Sequence, residues 1–483
     1  MMKKIVILLL QAVLISCTAM AQQRPNIVFI MADDLGGRDL PVYGNEFNEA
    51  PNIEKLASQG MLFEHAYAAP VCSPTRASIQ SGQYPARVGI FDFISGHWRP
   101  WEEVTVPVHE VQHLPDDIFT LGNAMQEAGY ATGYFGKWHL GSRPEHLPHK
   151  RGYDQAHMYA GGGFYEPKFI PEYKSSQKKR LSNALTDMGI DFIQKSQKKP
   201  FFLFISHYDV HVQLDADRDL IEKYLEKDKD PDYACNAVYA AMIEHVDNSV
   251  GALMNAVEEA GLEDNTVFIF FSDNGGVDNR YDNLPLIDPN SLDVYPEGHP
   301  LRYIATTNTP LRAGKGTLYE GGIRVPLIVK WPGKVKAAST SEAIVSSVDF
   351  YPSFLELARG KKPEGQVLDG VSLLPALKEN SFDPQREVFT HYPVYHHEQP
   401  MSALRKGDWK IVENLVTGEF DLYNLIYDIN EMTDLKYSHP AKLEEMKTVL
   451  RKWQKDTRAA MPVPNPDFDP ERRYEWGKHP SRK

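Results

Sequence analysis

Hydrophobic positions fall into short unbroken runs rather than one long periodic pattern. "NIVFIM" (26–31), "ATGYFG" (131–136), "FFLFIS" (201–206), "VFIFFS" (267–272) and "VPLIVKW" (325–331) are apolar at successive positions. That pattern predicts strands buried on both faces. Between them lie stretches with helical spacing. "NIEKLASQGM" begins a helix after Pro51. "TLGNAMQEAGY" puts Leu121, Ala124, Met125 and Ala128 on one face, with Gly129 as a stop. Residues 236–261 carry the clearest stripe, which includes Val238, Met242, His245, Val246, Leu253 and Val257. On that stripe His245 reads as a packed histidine. Strands alternating with helices predict an α/β fold, a large mostly parallel sheet sandwiched by helices.

The tail changes period. Residues 400–428 form short alternating runs split by "KGD" and "TGE", which predicts a small antiparallel sheet. Residues 440–456 read as an amphipathic helix. A boundary near residue 380, in "KENSFDPQRE", divides a catalytic domain over 22–380 from a smaller α+β subdomain over 381–483.

The first 21 residues read as a leader. "MMKK" is basic, 5–16 is apolar but too short to span a bilayer, and "AMA" (19–21) suits cleavage before Gln22. "LISC" also leaves lipidation at Cys17 open. No other segment is long and apolar enough to cross a membrane, so the chain is expected in the periplasm. The net charge of −13 argues against a nucleic-acid partner. An anionic substrate would need a local basic pocket. With the leader gone, Cys72 and Cys235 remain; a disulfide between them is the bland alternative, and the Ser/Pro/Thr/Arg setting of Cys72 argues against it.

Polar residues follow the buried runs, where α/β sheets bind ligands. Asp33-Asp34 follows the first, Lys137-Trp138-His139 the second, "HYDVH" (207–211) the third and Asp273-Asn274-Gly275 the fourth. Alone, each acidic pair reads as a cap or a turn. Together, Asp33, Asp34, Asp273 and Asn274 offer oxygen donors for a hard divalent cation, Ca²⁺ before Mg²⁺. Beside Lys137, His139, His211 and Lys315 such a cation suits a tetrahedral oxyanion.

"CSPTR" (72–76) matches the C-x-P-x-R signature of the formylglycine-dependent sulfatases, within the alkaline phosphatase superfamily. "PNIVFIMADDLG", "GYATGYFGKWHLG", "FSDNGG" and "LRAGKGTLYEGGIRVPLIVKWPG" extend the resemblance along most of the chain. The resemblance implies that a sulfatase-maturing enzyme oxidises Cys72 to formylglycine (3-oxoalanine). Its hydrate would be the nucleophile, held on the cation, with Cys72 thereby joining the metal set. It implies that Arg76 and Lys137 steady that group, His139 takes its proton, His211 protonates the leaving oxygen and Lys315 holds a sulfate oxygen. Val212 stands where relatives often carry proline, so His207 competes with His211. The whole is similar to the carbohydrate sulfatases of polysaccharide-degrading Bacteroidota, including those acting on algal glycans such as ulvan. The implied partner is a sulfated oligosaccharide or polysaccharide. For its recognition the candidates are His97, Trp98 and Arg99 in "FISGHWRPW" (93–101), Trp101, Arg143, His146, His396 and His397. Two alternatives stay open, a phosphonate monoester or phosphodiester hydrolase and a non-catalytic sulfated-glycan-binding protein. A two-zinc phosphatase is disfavoured by the lack of a histidine-rich metal set.

Overall fold

A computed structural model describes residues 24–109, 111–174, 178–279 and 284–482. The leader read over 1–21, and Cys17 with it, lies outside them. Among the described residues fifteen strands run in chain order: β1 Asn26–Ala32, β2 Met61–Tyr67, β3 Val104–Thr105, β4 Ala131–Gly136, β5 Gln155–Tyr159, β6 Phe169–Ile170, β7 Phe201–Ser206, β8 Thr266–Ser272, β9 Leu327–Lys330, β10 Ser339–Ser346, β11 Glu387–Tyr392, β12 Met401–Lys406, β13 Trp409–Asn414, β14 Phe420–Asn424 and β15 Val463–Pro464.

Nine of them form one sheet in the order β10-β2-β9-β8-β1-β7-β4-β5-β6. The pairs β8/β1, β1/β7, β7/β4, β4/β5 and β2/β10 are parallel. β9 runs antiparallel to both its neighbours, and β6 antiparallel to β5. The apolar runs are explained by two cores. Along β1, Val28, Ile30 and Ala32 enter the core on one face, while Ile27, Phe29 and Met31 enter the core on the other. β7 and β8 divide their side chains in the same way. Successive residues of a strand point to opposite faces, so a sheet covered on both sides needs apolar residues at every position. Each fully buried side chain of this size contributes about 1.5–3 kcal/mol.

The helix Ala237–Glu259 covers one face, and Asn236 caps it by accepting from the N–H groups of Val238 and Tyr239. His245 lies in its buried stripe, where Nε2 accepts from the Asp217 N–H at 3.4 Å. The helix Leu121–Glu127 starts with a reciprocal Thr120/Asn123 cap and is followed by Gly129 at φ +81°. The helix expected from "NIEKLASQGM" is shorter than its pattern: it spans Pro51–Ser58, and Met61 already begins β2. The "VPLIVKW" strand likewise shrinks to Leu327–Lys330.

The four antiparallel strands β11-β12-β13-β14 form the second sheet, with Gly407 and Gly418 at positive φ in its two tight turns. The helix Pro440–Thr457 packs on it through Met446, Leu450 and Trp453. A buried charge cluster joins this sheet to the large one: Lys410 Nζ lies 2.9 Å from Glu320 Oε1 and 2.8 Å from Glu431 Oε1, and Tyr67 of β2 donates to Glu320 Oε2 at 2.8 Å. Cys72 and Cys235 are both buried free thiols, so the disulfide is not formed. No helix among the described residues is long and apolar enough to cross a membrane.

Candidate active site

The site is built where four adjacent parallel strands end. β8, β1, β7 and β4 are neighbours, and Ala32 at the end of β1 pairs with Ser272 at the end of β8. That register brings Asp33-Asp34 and Asp273-Asn274 out at one level. The Asp273 N–H donates to the Ala32 carbonyl at 3.2 Å, and the Asp34 N–H to Asp273 Oδ1 at 3.2 Å. All four side chains are fully buried. β4 delivers Lys137 and His139, and the loop after β7 delivers His211.

Cys72 opens the helix Cys72–Ser81. Its Sγ lies 3.3 Å from His139 Nδ1, and His139 Nε2 donates to the Ile94 carbonyl at 2.6 Å. That second bond places the ring proton on Nε2 and leaves Nδ1 as the acceptor facing Cys72. One turn along the helix, Arg76 grips Asp273 Oδ2 through Nε at 3.0 Å and Nη2 at 2.6 Å. Its Nη1 donates to the Lys137 carbonyl and to Ser206 Oγ, both at 2.6 Å. Lys137 Nζ lies 2.6 Å from Asp33 Oδ2. Lys315 Nζ donates to Asp34 Oδ1 and Oδ2 at 2.6 and 2.8 Å. His211 Nε2 is 3.7 Å from Asp34 Oδ2, and its Nδ1 donates to the Val212 carbonyl.

Three carboxylates therefore face three basic side chains in a buried cluster. Burial would raise the Asp34 carboxyl, but Lys315, His211 and Lys137 outweigh it and hold it well below the usual range. Asp273 is pushed up to about 6 by burial and by Asp33, against the pull of Arg76. Burial and then Lys137 keep both imidazoles neutral: His139 falls well below its ordinary value and His211 to about 3. Burial pushes the Cys72 thiol up.

The donor set fits a hard cation. Asp33 Oδ1 and Asn274 Oδ1 are buried with no hydrogen-bond partner among the described residues. Ligand atoms of Asp33, Cys72 and Asp273 lie within 4.8 Å of one another, as do those of Asp33, Asp34 and His211. Carboxylate and amide oxygens are what Ca²⁺ and Mg²⁺ take.

Above this cluster opens a cavity of about 1010 Å³, with Cys72, Lys137, His139, His211 and Lys315 in its wall. His97 and His396 line it too, with ring centroids 4.3 Å apart. Gly316, at φ +83°, makes that approach possible: a Cβ there would stand 1.9 Å from His396 Nδ1. His207 is fully buried, and its Nε2 lies 3.1 Å from Ser249 Oγ, so of the two histidines only His211 reaches the cavity.

Five sequence candidates do not line it; one is His146, buried with its ring stacked on His113 at 3.5 Å. Trp98 packs under the C-terminal tail, its carbonyl accepting from Gly477 at 2.9 Å and its ring 6.2 Å from His479. Arg99 is tied to the buried Glu102 at 3.4 Å, to the His396 carbonyl at 3.4 Å and to the face of Trp476 at 4.2 Å. Arg143 is exposed, next to the wall residue Ser142. Trp101 is likewise covered, by Arg472 stacked at 3.8 Å. Three supporting residues escaped the sequence reading. Ser73 Oγ donates to the His139 carbonyl at 2.9 Å, Ile94 fixes the His139 tautomer through its carbonyl, and Ser206 braces Arg76. Ser73 sits inside the "CSPTR" signature, which was the one signal available; a backbone carbonyl leaves none.

Comparison with known proteins agrees with this geometry. The sulfatase family model matches residues 25–361, and that of the C-terminal part of N-sulphoglucosamine sulphohydrolase matches 314–459. A sulfatase of Formosa agariphila is 32% identical, over 90% of this chain and 89% of its own. The mouse N-acetylgalactosamine-6-sulfatase is 31% identical, over 81% of this chain and 72% of its own. The crystal structure of Ps i-CgsB is 29% identical and superposes with a TM-score of 0.75, covering 92% of this chain and 95% of that one. The chain belongs to the sulfatase family, and it is a sulfuric ester hydrolase.

Proposed function

We propose that this protein removes sulfate groups from sulfated carbohydrate, acting on oligosaccharides of a polysaccharide in the periplasm. The observation that carries the reading is Cys72, set at the wall of an open cavity beside His139, between Lys137 and Lys315 and over four buried oxygen-donor side chains. Two relatives support the carbohydrate class. One is the N-acetylgalactosamine-6-sulfatase; the other is Ps i-CgsB, solved with k-i-k-neocarrahexaose at 28% identity and a TM-score of 0.74. Both make galacto-configured sugars the first to screen, ahead of ulvan oligosaccharides.

Asp33, Asp34, Asp273 and Asn274 would hold a Ca²⁺ ion, with the group at position 72 as a further ligand. Bound there it would supply Lewis-acid charge, and formylglycine made from Cys72 by a maturing enzyme would supply a hydrated-aldehyde nucleophile. The remaining work belongs to the side chains. Arg76, Lys137 and Lys315 already match the three carboxylates, so with a divalent cation held there the site would be net positive inside an acidic protein, a charge that suits a sulfate ester anion. Lys137 and Lys315 then meet sulfate oxygens, and the charge they share with Asp33 and Asp34 shifts onto substrate. His139 Nδ1, neutral and facing position 72, accepts a proton there. His211 delivers a proton to the leaving oxygen; a bound anion raises its proton affinity from the low value set by burial and Lys137.

Sulfate release from 4-nitrophenyl sulfate is the test, with protein made beside a sulfatase-maturing enzyme. The peptide bearing Cys72 should carry the mass of an aldehyde in place of a thiol, and Cys72→Ala should lose at least about a thousandfold in kcat/KM. Release of phosphate from 4-nitrophenyl phosphate at a higher rate would favour the phosphoester hydrolase instead. An unmodified thiol with Cys72→Ala indistinguishable from wild type would leave only the glycan-binding reading.

A further inference from the structure

Residues 463–482 are built onto the loop over 93–105, whose residues Phe93, Ile94, Ser95 and His97 line the cavity. β15 pairs with β3 through Val463 and Thr105. Asn465 Nδ2 donates to the carbonyls of Pro100 and Glu102 at 2.9 and 2.7 Å, and the Asp469 N–H donates to the Trp101 carbonyl at 3.1 Å. Arg473 pairs with the fully buried Glu102 at 3.1 Å and with Glu103 at 2.9 Å. Trp476 fills the space between Arg99 and His97, with ring centroids 5.6 Å from the latter. A segment held by this many backbone and charged contacts is a fixed part of the wall, not a loose end.

Its final turn reaches the cavity. The Arg482 N–H donates to the His479 carbonyl at 2.9 Å, which closes a tight turn. Inside that turn the Ser481 hydroxyl meets His479 Nδ1 at 2.7 Å, and Ser481 lines the cavity. Arg482 Nε donates to Ser95 Oγ at 2.5 Å, and Ser95 is also a cavity-wall residue. The two Nη nitrogens of Arg482 make no hydrogen bond or ion pair with another described residue, and the residue is exposed. The structure therefore holds a guanidinium by one edge at the cavity rim and leaves its other edge toward solvent. The reacting centre lies deeper, around Cys72 and Lys315.

We infer that Ser481 and Arg482 form an outer anion subsite, which binds a carboxylate or second sulfate on a sugar unit next to the one being desulfated. The inference rests on the proposed sulfatase action on oligosaccharides. Its physical ground is that a guanidinium edge matches carboxylate and sulfate oxygens two at a time, and that Ser95 fixes its orientation before substrate arrives. It makes a long anionic glycan a better ligand than a single sulfate, and it makes the difference depend on the chain's own C-terminal segment.

The experiment measures inhibition of 4-nitrophenyl sulfate hydrolysis. Inorganic sulfate probes the inner site alone; tetrasaccharides derived from carrageenan, chondroitin sulfate and heparin probe both sites. The readout is the ratio of the inhibition constant of sulfate to that of the tightest tetrasaccharide. In Arg482→Ala that ratio should fall about tenfold, with Arg482→Lys in between. Lys478→Ala, which removes another exposed charge of the same segment, one with no hydrogen bond to a described cavity-wall residue, should leave the ratio within about twofold of wild type. A ratio unchanged in Arg482→Ala, an equal fall in Lys478→Ala, or a wild type that binds no tetrasaccharide more tightly than sulfate would each overturn the subsite. Failure to hydrolyse 4-nitrophenyl sulfate at all would instead overturn the sulfatase reading on which it rests.

Discussion

Arg76 shows how much of the site rests on single side chains. It is 2% exposed, and its four hydrogen bonds are spread over Asp273, the Lys137 carbonyl and Ser206. Lysine has the charge but not the fork, so Arg76→Lys keeps one contact and abandons the others in a buried setting. The expected loss is about 3 kcal/mol of unfolding free energy, read from the midpoint of urea unfolding. A midpoint within error of wild type would show that the carboxylates are balanced by other means. At this scale the sequence was informative where a residue type is rare in its setting. A cysteine within "CSPTR", and paired acids after apolar strands, pointed to the cluster that the structure assembles. Trp98 and Arg99 misled because their chemistry suits sugar binding equally well and packing under a tail. Only the fold decides between those settings, and the tail lies more than 360 residues away in the chain.

At the scale of elements, the unbroken apolar runs were the most legible feature. β4 and β7 match their runs in full, since both are buried on two faces and nothing competes for their residues. β2 and β10 were not seen in advance. β2 carries Glu64 and His65 in its middle, and β10 reads "STSEAIVS", so each breaks the apolar pattern. They lie toward one edge of the sheet, where one side chain in two can face solvent. β11 was missed for the same reason: "EVFTHY" alternates too weakly to stand apart from the polar stretch before it. Strand direction was the other gap. β9 was expected among parallel strands and runs antiparallel, because a run of apolar residues carries no sign of polarity.

The whole molecule stores protons unevenly. Burial is the first cause that pushes His109, His207, His245 and His391 down to about 4 and His65 to about 3, from an ordinary value of 6.5. In the folded state these rings stay neutral, whereas the unfolded chain takes up protons on them below about pH 6.5. Their contribution to stability is thus complete above that pH and is lost as pH falls toward about 4. Three carboxyls act in the opposite sense, since desolvation raises Asp273 and Asp278 to about 6 and Glu431 to about 7. The histidines are more numerous and further displaced, so they set the direction. Unfolding free energy should fall by at least about 2 kcal/mol between pH 7 and pH 5, measured by urea titration at each pH. A flat profile over that window would mean that the rings are hydrated in solution.

The level strand ends of β1 and β8 have a consequence in time as well as in space. Asp34 and Asp273 touch at 3.2 Å but stand 239 residues apart, so the pocket between them closes only after most of the sheet has paired. Contacts of such long range form late in folding. An ion held by both strand ends, as proposed, would find nothing to hold in the transition state, and its stabilisation would fall almost wholly on the return journey. Calcium should therefore slow unfolding by at least about tenfold while leaving the refolding rate within about twofold, in stopped-flow jumps with and without the ion. Acceleration of refolding by calcium would place the two strand ends together early instead. The ion would then act as a latch fastened last and released first, which sets how long the folded enzyme survives rather than how quickly it forms.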